Sequence, residues 1–236
     1  MNVSVQMLLA LSLTIGVYLL AEQLYIRAGR TSLLHPVIVS IFTLMGVITL
    51  LGWEYPEYQR DTQFIHFLLG PATVALAVPL HENMALIRKM ALPLMVACVT
   101  GALVAAGSAV VLSALWTGDE VLALSMSAKS ITTPIAIGMA DSLGGSGSLA
   151  AGLVLLTGAV GTLLLPTLMR WCRLHDDALH GFVLGVTAHG FGTAQAFERS
   201  FTCGAFAGLA MSLTGVVSAF LVPPLVPFWV GCEWVG

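Results

Sequence analysis

The residues best suited to chemistry in this sequence lie inside its apolar segments. The string from Ser125 to Pro134 places Lys129 among several hydroxyl side chains, in a stretch apolar enough to enter a membrane. A charge at the centre of a membrane span costs a few kcal/mol, so it needs a partner, water or an anionic ligand. A cationic pocket rich in hydroxyl groups suits a small carboxylate. The residues predicted to bind it here are Lys129, Ser130, Thr132, Thr133 and Pro134.

Lys129 also has interpretations that involve no ligand. Its long side chain can reach a membrane interface while its methylene groups stay in apolar surroundings. It can equally pair with Asp141 or with a glutamate elsewhere in the chain. Pro134 frees the carbonyl of Ser130 from helix pairing, which favours a break in this segment.

A second polar string runs from Thr187 to Gln195. Gly190 and Gly192 loosen the helix and let another backbone or a ligand approach closely. His189 is a side chain that can exchange a proton near neutral pH, which makes it a candidate for proton coupling. The alternatives are an interhelical hydrogen bond for His189 and helix packing for the glycines. The residues predicted to form the opposite wall of the carboxylate site are His189, Gly190, Gly192 and Thr193.

A third string, 69–82, contains two prolines eight residues apart and ends in a histidine and a glutamate. Each proline removes a backbone donor, and the freed groups are tolerated at membrane depth only where they face protein or water. We therefore include Pro71 and Thr73 among the predicted binding residues and Glu82 as a second candidate for proton coupling. The alternative is a kinked packing helix in which Thr73 bonds to its own turn.

The composition requires these strings to be positioned by membrane helices. Hydrophobic residues make up 58% of the 236 residues and charged residues 9%, against about a quarter charged in soluble globular proteins. We predict an all-α polytopic membrane protein, with one membrane domain over 1–236 and the first segment retained rather than cleaved. The seven or eight predicted segments are about 5–22, 32–53, 63–81, 90–116, 121–140, 147–170, 178–197 and 204–231.

The distribution of Lys and Arg predicts the orientation. Basic pairs follow the first, third and sixth segments, at 27–30, 88–89 and 170–173, and such residues are retained preferentially on the cytoplasmic side. All three pairs lie inside only if 121–140 enters and leaves the membrane on the external side. We therefore predict a re-entrant hairpin there, an external N-terminus and a cytoplasmic C-terminus.

The two halves also predict an inverted repeat. The strings 69–82 and 184–198 have a similar layout at an offset of about 115 residues, which gives possible repeats at about 1–116 and 121–236, with broken or crossing helices at matching positions. Inverted repeats with interrupted helices are typical of secondary transporters, and they place the binding site near the bilayer midplane.

Enzymatic and nucleic-acid-binding functions are disfavoured. No nucleophile, phosphate-binding or metal-ligand motif occurs, so we expect no catalytic residue, metal or cofactor. The net charge of −3 offers no basic surface for a nucleic acid. The four cysteines are scattered and predict neither a disulfide nor a metal site.

The strings 70–80, 128–136 and 188–194, together with His35-Pro36, resemble the signature segments of the LrgB/CidB family over nearly the whole chain. His35 stands where that family is expected to have asparagine, and Ala128 where it is expected to have proline. The resemblance implies a multi-pass protein of the bacterial inner membrane with a small LrgA/CidA-like membrane partner. It also implies an antiholin-like or holin-like role in regulating murein hydrolases and autolysis. A plant relative exchanges glycolate and glycerate, and pyruvate has been linked to bacterial members.

Two functions of different classes follow. The first is secondary transport of a small carboxylate similar to pyruvate, glycolate or acetate, for which we expect a homodimer. The second is an oligomeric holin-like or antiholin-like regulator of murein hydrolase export, which transports no substrate and needs no buried lysine. A relaxed channel is a third hypothesis.

Overall fold

The computed structural model describes residues 5–29, 34–65, 67–68, 71 and 77–230. Within these ranges the regular elements are helices, and no strand occurs. The predicted all-α class is therefore confirmed. The chain divides into two compact units, Met1–Ala77 and Val78–Gly236.

The first unit consists of three helices. They are α1 (Val5–Arg27), α2 (Pro36–Leu50) and α3 (Tyr55–Asp61). Pro36 begins α2, where a proline loses no helix bond because the first turn has no partner for its amide. The hydroxyl groups of Thr14 and Tyr58 are 2.6 Å apart, which ties α1 to α3.

The second unit holds the remaining helices, beginning at the division between the units. They are α4 (Ala77–Glu82), α5 (Met84–Lys89), α6 (Ala91–Thr117), α7 (Glu120–Met126), α8 (Thr133–Ser142), α9 (Gly147–Trp171), α10 (Asp177–Arg199), α11 (Phe201–Leu221) and α12 (Val226–Val230), with a 3-10 turn at Pro223–Leu225.

Four of the described helices, α1, α6, α9 and α11, are long and apolar enough to cross a membrane. The pair α2 and α3, bent by 118°, makes a fifth if it is counted as one span. The number of seven or eight segments stays a prediction. Half of the string 69–82, and with it the comparison of the predicted repeats, lies outside the described residues.

The predicted break in 121–140 is present, and the chain folds back on itself there. The amide of Ser146 donates to the hydroxyl of Ser125 over 2.8 Å, whereas a continuous helix would separate these residues by about 30 Å. We call residues 120–142 the first hairpin, with its tip at 127–132. The side of the membrane from which it enters stays a prediction.

The helix α10 also folds back, at His189, where the backbone leaves the helical region with φ 41° and ψ −118°. Arg199 Nε lies 2.7 Å from Asp177 Oδ1, although a straight helix would put these residues about 33 Å apart. The predicted crossing helix over 178–197 is therefore wrong. We call residues 177–199 the second hairpin.

A long helix followed by a hairpin therefore occurs twice, as α6 with the first hairpin and α9 with the second. This order covers 91–142 and then 147–199. The second hairpin ends close to where it begins, so residues 177–199 do not form the membrane crossing that was predicted for 178–197. This leaves one membrane crossing fewer than predicted between α9 and the C-terminus. The side of the membrane on which the C-terminus lies stays a prediction.

The second hairpin packs against α11 through glycines. A Cβ atom at Gly181 would overlap the carbonyl of Cys203, and one at Gly185 would overlap the carbonyl of Ala207. The two backbones approach so closely because neither glycine carries a side chain, as in many membrane helix pairs. The first hairpin packs in a separate buried cluster that includes Ala128, Ile131 and Val154.

Asp177 closes the base of the second hairpin, outside the predicted membrane segment 178–197. The Ser200 hydroxyl, which donates to Oδ2 over 2.6 Å, and the Arg199 guanidinium together lower the pKa of this carboxyl group. A lowered folded-state pKa gives stability that is present above the ordinary range of aspartate and is lost as the pH falls through the folded-state value.

We therefore expect the stability advantage of the wild type over Asp177→Asn to shrink as the pH falls below about 4, the usual aspartate pKa. The advantage is small even at neutral pH, because the pair is partly exposed to solvent. Thermal unfolding of both proteins between neutral and acidic pH measures it. An advantage that is constant across this range would contradict the assignment.

Candidate functional site

The tip of the first hairpin presents Lys129. The turn after α7 continues with short-range bonds, such as the one from the Lys129 amide to the carbonyl of Met126 over 3.3 Å. The chain then reverses at Ile131, and α8 begins after Thr132 with Pro134 in its first turn. Because prolines lack an amide hydrogen, this is the position in a helix where one costs least.

Lys129 has no carboxylate partner within the described part of the chain. Its half-buried ammonium group donates to the Ser130 hydroxyl over 2.9 Å. Among the described residues, the salt bridge within 4.0 Å joins Arg199 to Asp177 and does not involve Lys129. The alternative that Lys129 pairs with Asp141 is therefore wrong. A partly buried charge without a counter-ion is costly, which makes this position attractive to an anion.

Asp141 has another role in the first hairpin. Its Oδ1 atom accepts a hydrogen bond of 2.7 Å from the amide of Gly147, the first residue of α9. A Cβ atom at Gly147 would lie 2.7 Å from the Asp141 carboxylate, so the contact depends on glycine at that position. Asp141 therefore fastens the end of α8 to the start of α9.

We expect Asp141→Ala to lower the free energy of unfolding by about 1–3 kcal/mol, the usual value of a hydrogen bond to a charged group. Carboxylate binding per folded molecule is expected to remain, because Asp141 does not contact Lys129. Thermal unfolding combined with a binding titration measures both effects. Loss of binding at unchanged stability would contradict this role.

The start of α8 adds to the positive potential at the tip. Thr132 is the residue before the first helical turn, and its side chain does not cap the helix. The first amides of a helix carry partial positive charge and have no intrahelical acceptor. Thr132 and Thr133 are half-buried, and the structure gives their hydroxyl groups no hydrogen bond within the described ranges. Both are therefore free to donate to a ligand.

His189 forms the tip of the second hairpin. It is 2% exposed, and its Nε2 atom has no hydrogen-bond partner among the described residues. Lys129 is close enough to act on it electrostatically. Lys129 and the buried imidazole of His189 therefore lie within electrostatic range of each other. A positive φ at a residue other than glycine also stores strain, which is typical of functional sites.

The other predicted residues of this string have different surroundings. A Cβ atom at Gly190 would meet nothing within 4 Å, so helix packing does not explain this glycine. At Gly192 a Cβ atom would overlap the carbonyl of Leu184, so Gly192 lets the two arms of the second hairpin meet. The Thr193 hydroxyl donates over 2.8 Å to the carbonyl of His189 and stabilises the break rather than facing a ligand.

Of the predicted residues from the third string, Glu82 belongs to the same unit as this site. Glu82 is exposed and makes no described hydrogen bond or ion pair with Lys129 or His189. Pro71 is exposed in the first unit, and Thr73 lies outside the described residues. The site as described thus consists of Lys129, Ser130, Thr132, Thr133 and His189.

The bond between Ser125 and Ser146 is a feature that sequence reasoning missed. Ser125 begins the first polar string, but its partner is 21 residues away in a glycine-rich loop. A hydrogen bond between such distant residues follows no helical spacing, so no local pattern signals it.

Comparison with known proteins identifies the family. The sequence profile of the LrgB-like family matches residues 14–228, which include both hairpins. This chain belongs to the LrgB-like family. Within it, the chain is 32% identical to Uncharacterized protein YwbG of Bacillus subtilis (strain 168) over 221 residues, which cover 94% of this chain and 98% of that protein.

Other LrgB-like relatives are similar over comparable lengths. Uncharacterized protein YxaC of the same strain is 31% identical, with 91% of this chain and 93% of that protein covered. Holin-like protein CidB of Staphylococcus aureus (strain N315) is 29% identical, with 96% and 98% covered. No solved structure matches the chain significantly. Membership of this family and the long apolar helices make the chain a multi-pass membrane protein.

Proposed function

We propose that this LrgB-like protein is a secondary transporter of a small carboxylate, bound between the tips of the two hairpins. The observation that carries the proposal is the Lys129 ammonium group, which has no described carboxylate partner and lies near the buried His189. A carboxylate at this position would supply the missing negative charge. It would also accept from the Ser130, Thr132 and Thr133 hydroxyl groups beside it.

The strength of such a site comes from its low-dielectric surroundings. A charge-assisted hydrogen bond is about twice as strong as one between neutral groups, and the start of α8 adds favourable potential for an anion. The His189 Nε2 atom, buried without a partner, provides a further polar contact. Exchange of a proton at His189 is our proposal for coupling, with Glu82 as the second candidate.

Transport requires that the site open to one side at a time. The first hairpin would cover it from one side of the membrane and the second hairpin from the other, as inverted elements do in many secondary transporters. Movement of one hairpin away from Lys129 and His189 would then release the carboxylate. The break at His189 is the natural place for such a change, because its backbone conformation is strained.

A regulatory role is the second candidate, favoured by the name of the CidB relative, holin-like protein. In that case the protein would form or restrain an oligomer in the bacterial inner membrane and regulate murein hydrolases. A small LrgA/CidA-like membrane protein is the proposed partner for either function, and a homodimer is the proposed assembly. We propose no enzymatic activity for the chain.

The test is uptake of labelled pyruvate, glycolate and acetate into liposomes that contain the purified protein. Saturable uptake above that of protein-free liposomes is expected for at least one of them, with competition by the unlabelled compound. Conductance far above carrier turnover in planar bilayers would indicate a channel instead. Folded protein that takes up none of the three would contradict the transport proposal and leave the regulatory one.

A further inference from the structure

A cavity of about 270 Å³ lies at the base of the second hairpin, and Lys129 does not line it. It is lined by the end of α9, the following loop and both arms of the hairpin. Its polar lining residues are Arg170, His175, His180, Gln195 and Arg199. Among its described lining residues there is no aspartate or glutamate, so the cavity is basic.

Two buried polar atoms of this cavity lack partners within the described chain. His180 is 7% exposed, and its Nδ1 atom makes no hydrogen bond. The Oε1 atom of Gln195 is also unpartnered, while its Nε2 atom lies 3.5 Å from the carbonyl of Thr162. Buried polar groups are normally satisfied, so these atoms indicate a site that binds water or a polar ligand.

The charges at the cavity differ in how far they are already neutralised. Arg199 is paired with Asp177, and its second contact is to the carbonyl of His175 over 3.0 Å. Arg170 donates to neutral groups, the carbonyl of Pro166 and the hydroxyl of Thr167. Its positive charge is therefore available at the rim of the cavity and attracts anions.

We propose that this cavity is a second binding site, a vestibule that takes the small carboxylate before or after it occupies the site between the hairpin tips. The choice of a carboxylate rests on the proposed function. Arg170 would supply the charge, and His180 would donate a hydrogen bond through Nδ1. Gln195 lies on the arm of the second hairpin that follows His189, so the vestibule and the tip site share one element. In the orientation predicted from Lys and Arg, this site opens to the cytoplasm.

The experiment measures protection of a cysteine in the cavity. Leu174, which is partly exposed and lines the cavity, is replaced by cysteine in the full chain, with Cys172→Ser and Cys232→Ser to remove other reactive thiols. The anionic reagent 2-sulfonatoethyl methanethiosulfonate is expected to react faster than its cationic trimethylammonium counterpart. A His175→Cys variant is the second reporter if the first does not fold.

Pyruvate is expected to slow the reaction about tenfold at about ten times its dissociation constant, because the free fraction falls as 1/(1 + [L]/Kd). Sodium chloride at equal ionic strength is the control for screening. The control thiol is native Cys172, exposed outside the cavity lining, labelled in a separate Cys232→Ser protein that keeps Leu174. Arg170→Gln is expected to abolish the protection.

The same measurement in the Lys129→Ala background separates this inference from the proposed function. Protection that persists there supports an independent vestibule, even if uptake is found not to depend on Lys129. Protection that disappears with Lys129→Ala would mean that pyruvate acts from the tip site, and it would overturn the inference. Equal protection by chloride, or no protection by pyruvate, would overturn it as well.

Discussion

Replacing Lys129 with alanine is expected to lower carboxylate uptake about 10- to 100-fold. The substitution removes the one cation at the tip of the first hairpin, and a hydrogen bond to a charged group is worth about 1.5–3 kcal/mol, at about 1.4 kcal/mol per factor of ten. Stability is expected to stay unchanged or to rise, because a partly buried charge without a described carboxylate partner is removed. Initial uptake rates in liposomes and thermal unfolding measure the two effects.

The chain offers a matched control, since its one other lysine is Lys89. Lys89 ends the short helix α5 and is exposed, so Lys89→Ala is expected to leave uptake unchanged. Lys129→Arg keeps the charge but alters its geometry, and we expect intermediate uptake. Full uptake by folded Lys129→Ala protein would contradict the assignment of the site.

Replacing Gly181 or Gly185 with alanine is expected to destabilise the protein by forcing the second hairpin away from α11. At either position the new Cβ atom would overlap a carbonyl of α11, so the hairpin and α11 must move apart. Overpacking of this kind costs about 1–3 kcal/mol or more. The five tryptophans give a fluorescence signal for thermal unfolding in detergent.

Gly152→Ala in α9 is the control for the change from glycine to alanine. A Cβ atom there meets nothing within 4 Å, and alanine favours a helix over glycine by about 1 kcal/mol. Its unfolding temperature is therefore expected to stay the same or to rise. Equal stability of the Gly152 and Gly181 variants would show that the hairpin does not pack on α11 as described.

The two sets of variants distinguish binding from assembly. Lys129→Ala is expected to change uptake without loss of stability, and the Gly181 and Gly185 variants to lose stability first. If autolysis depended on the glycines and on the small membrane partner but not on Lys129, the regulatory candidate would gain over transport. The structure thus offers separate residues for the two hypotheses.

The sequence alone determined the class of the protein and the location of its polar chemistry. An apolar content of 58% and long uncharged stretches predict membrane helices because only a lipid solvent accommodates that much exposed apolar surface. Lys129 and His189 were identified because a charge or an imidazole in such a stretch is costly unless it serves a purpose. Pro134 signalled the break in the first hairpin because proline cannot donate a helix bond.

Only the tertiary structure decided that the second polar string is a hairpin. Its residues carry an ordinary helical pattern, and the reversal depends on one backbone conformation at His189 and on the pairing of Arg199 with Asp177. The approach of His189 to Lys129, 60 positions away in the chain, depends on that reversal and on the packing of glycines against distant carbonyls. Contacts of this range are set by three-dimensional packing, which local residue spacing does not encode.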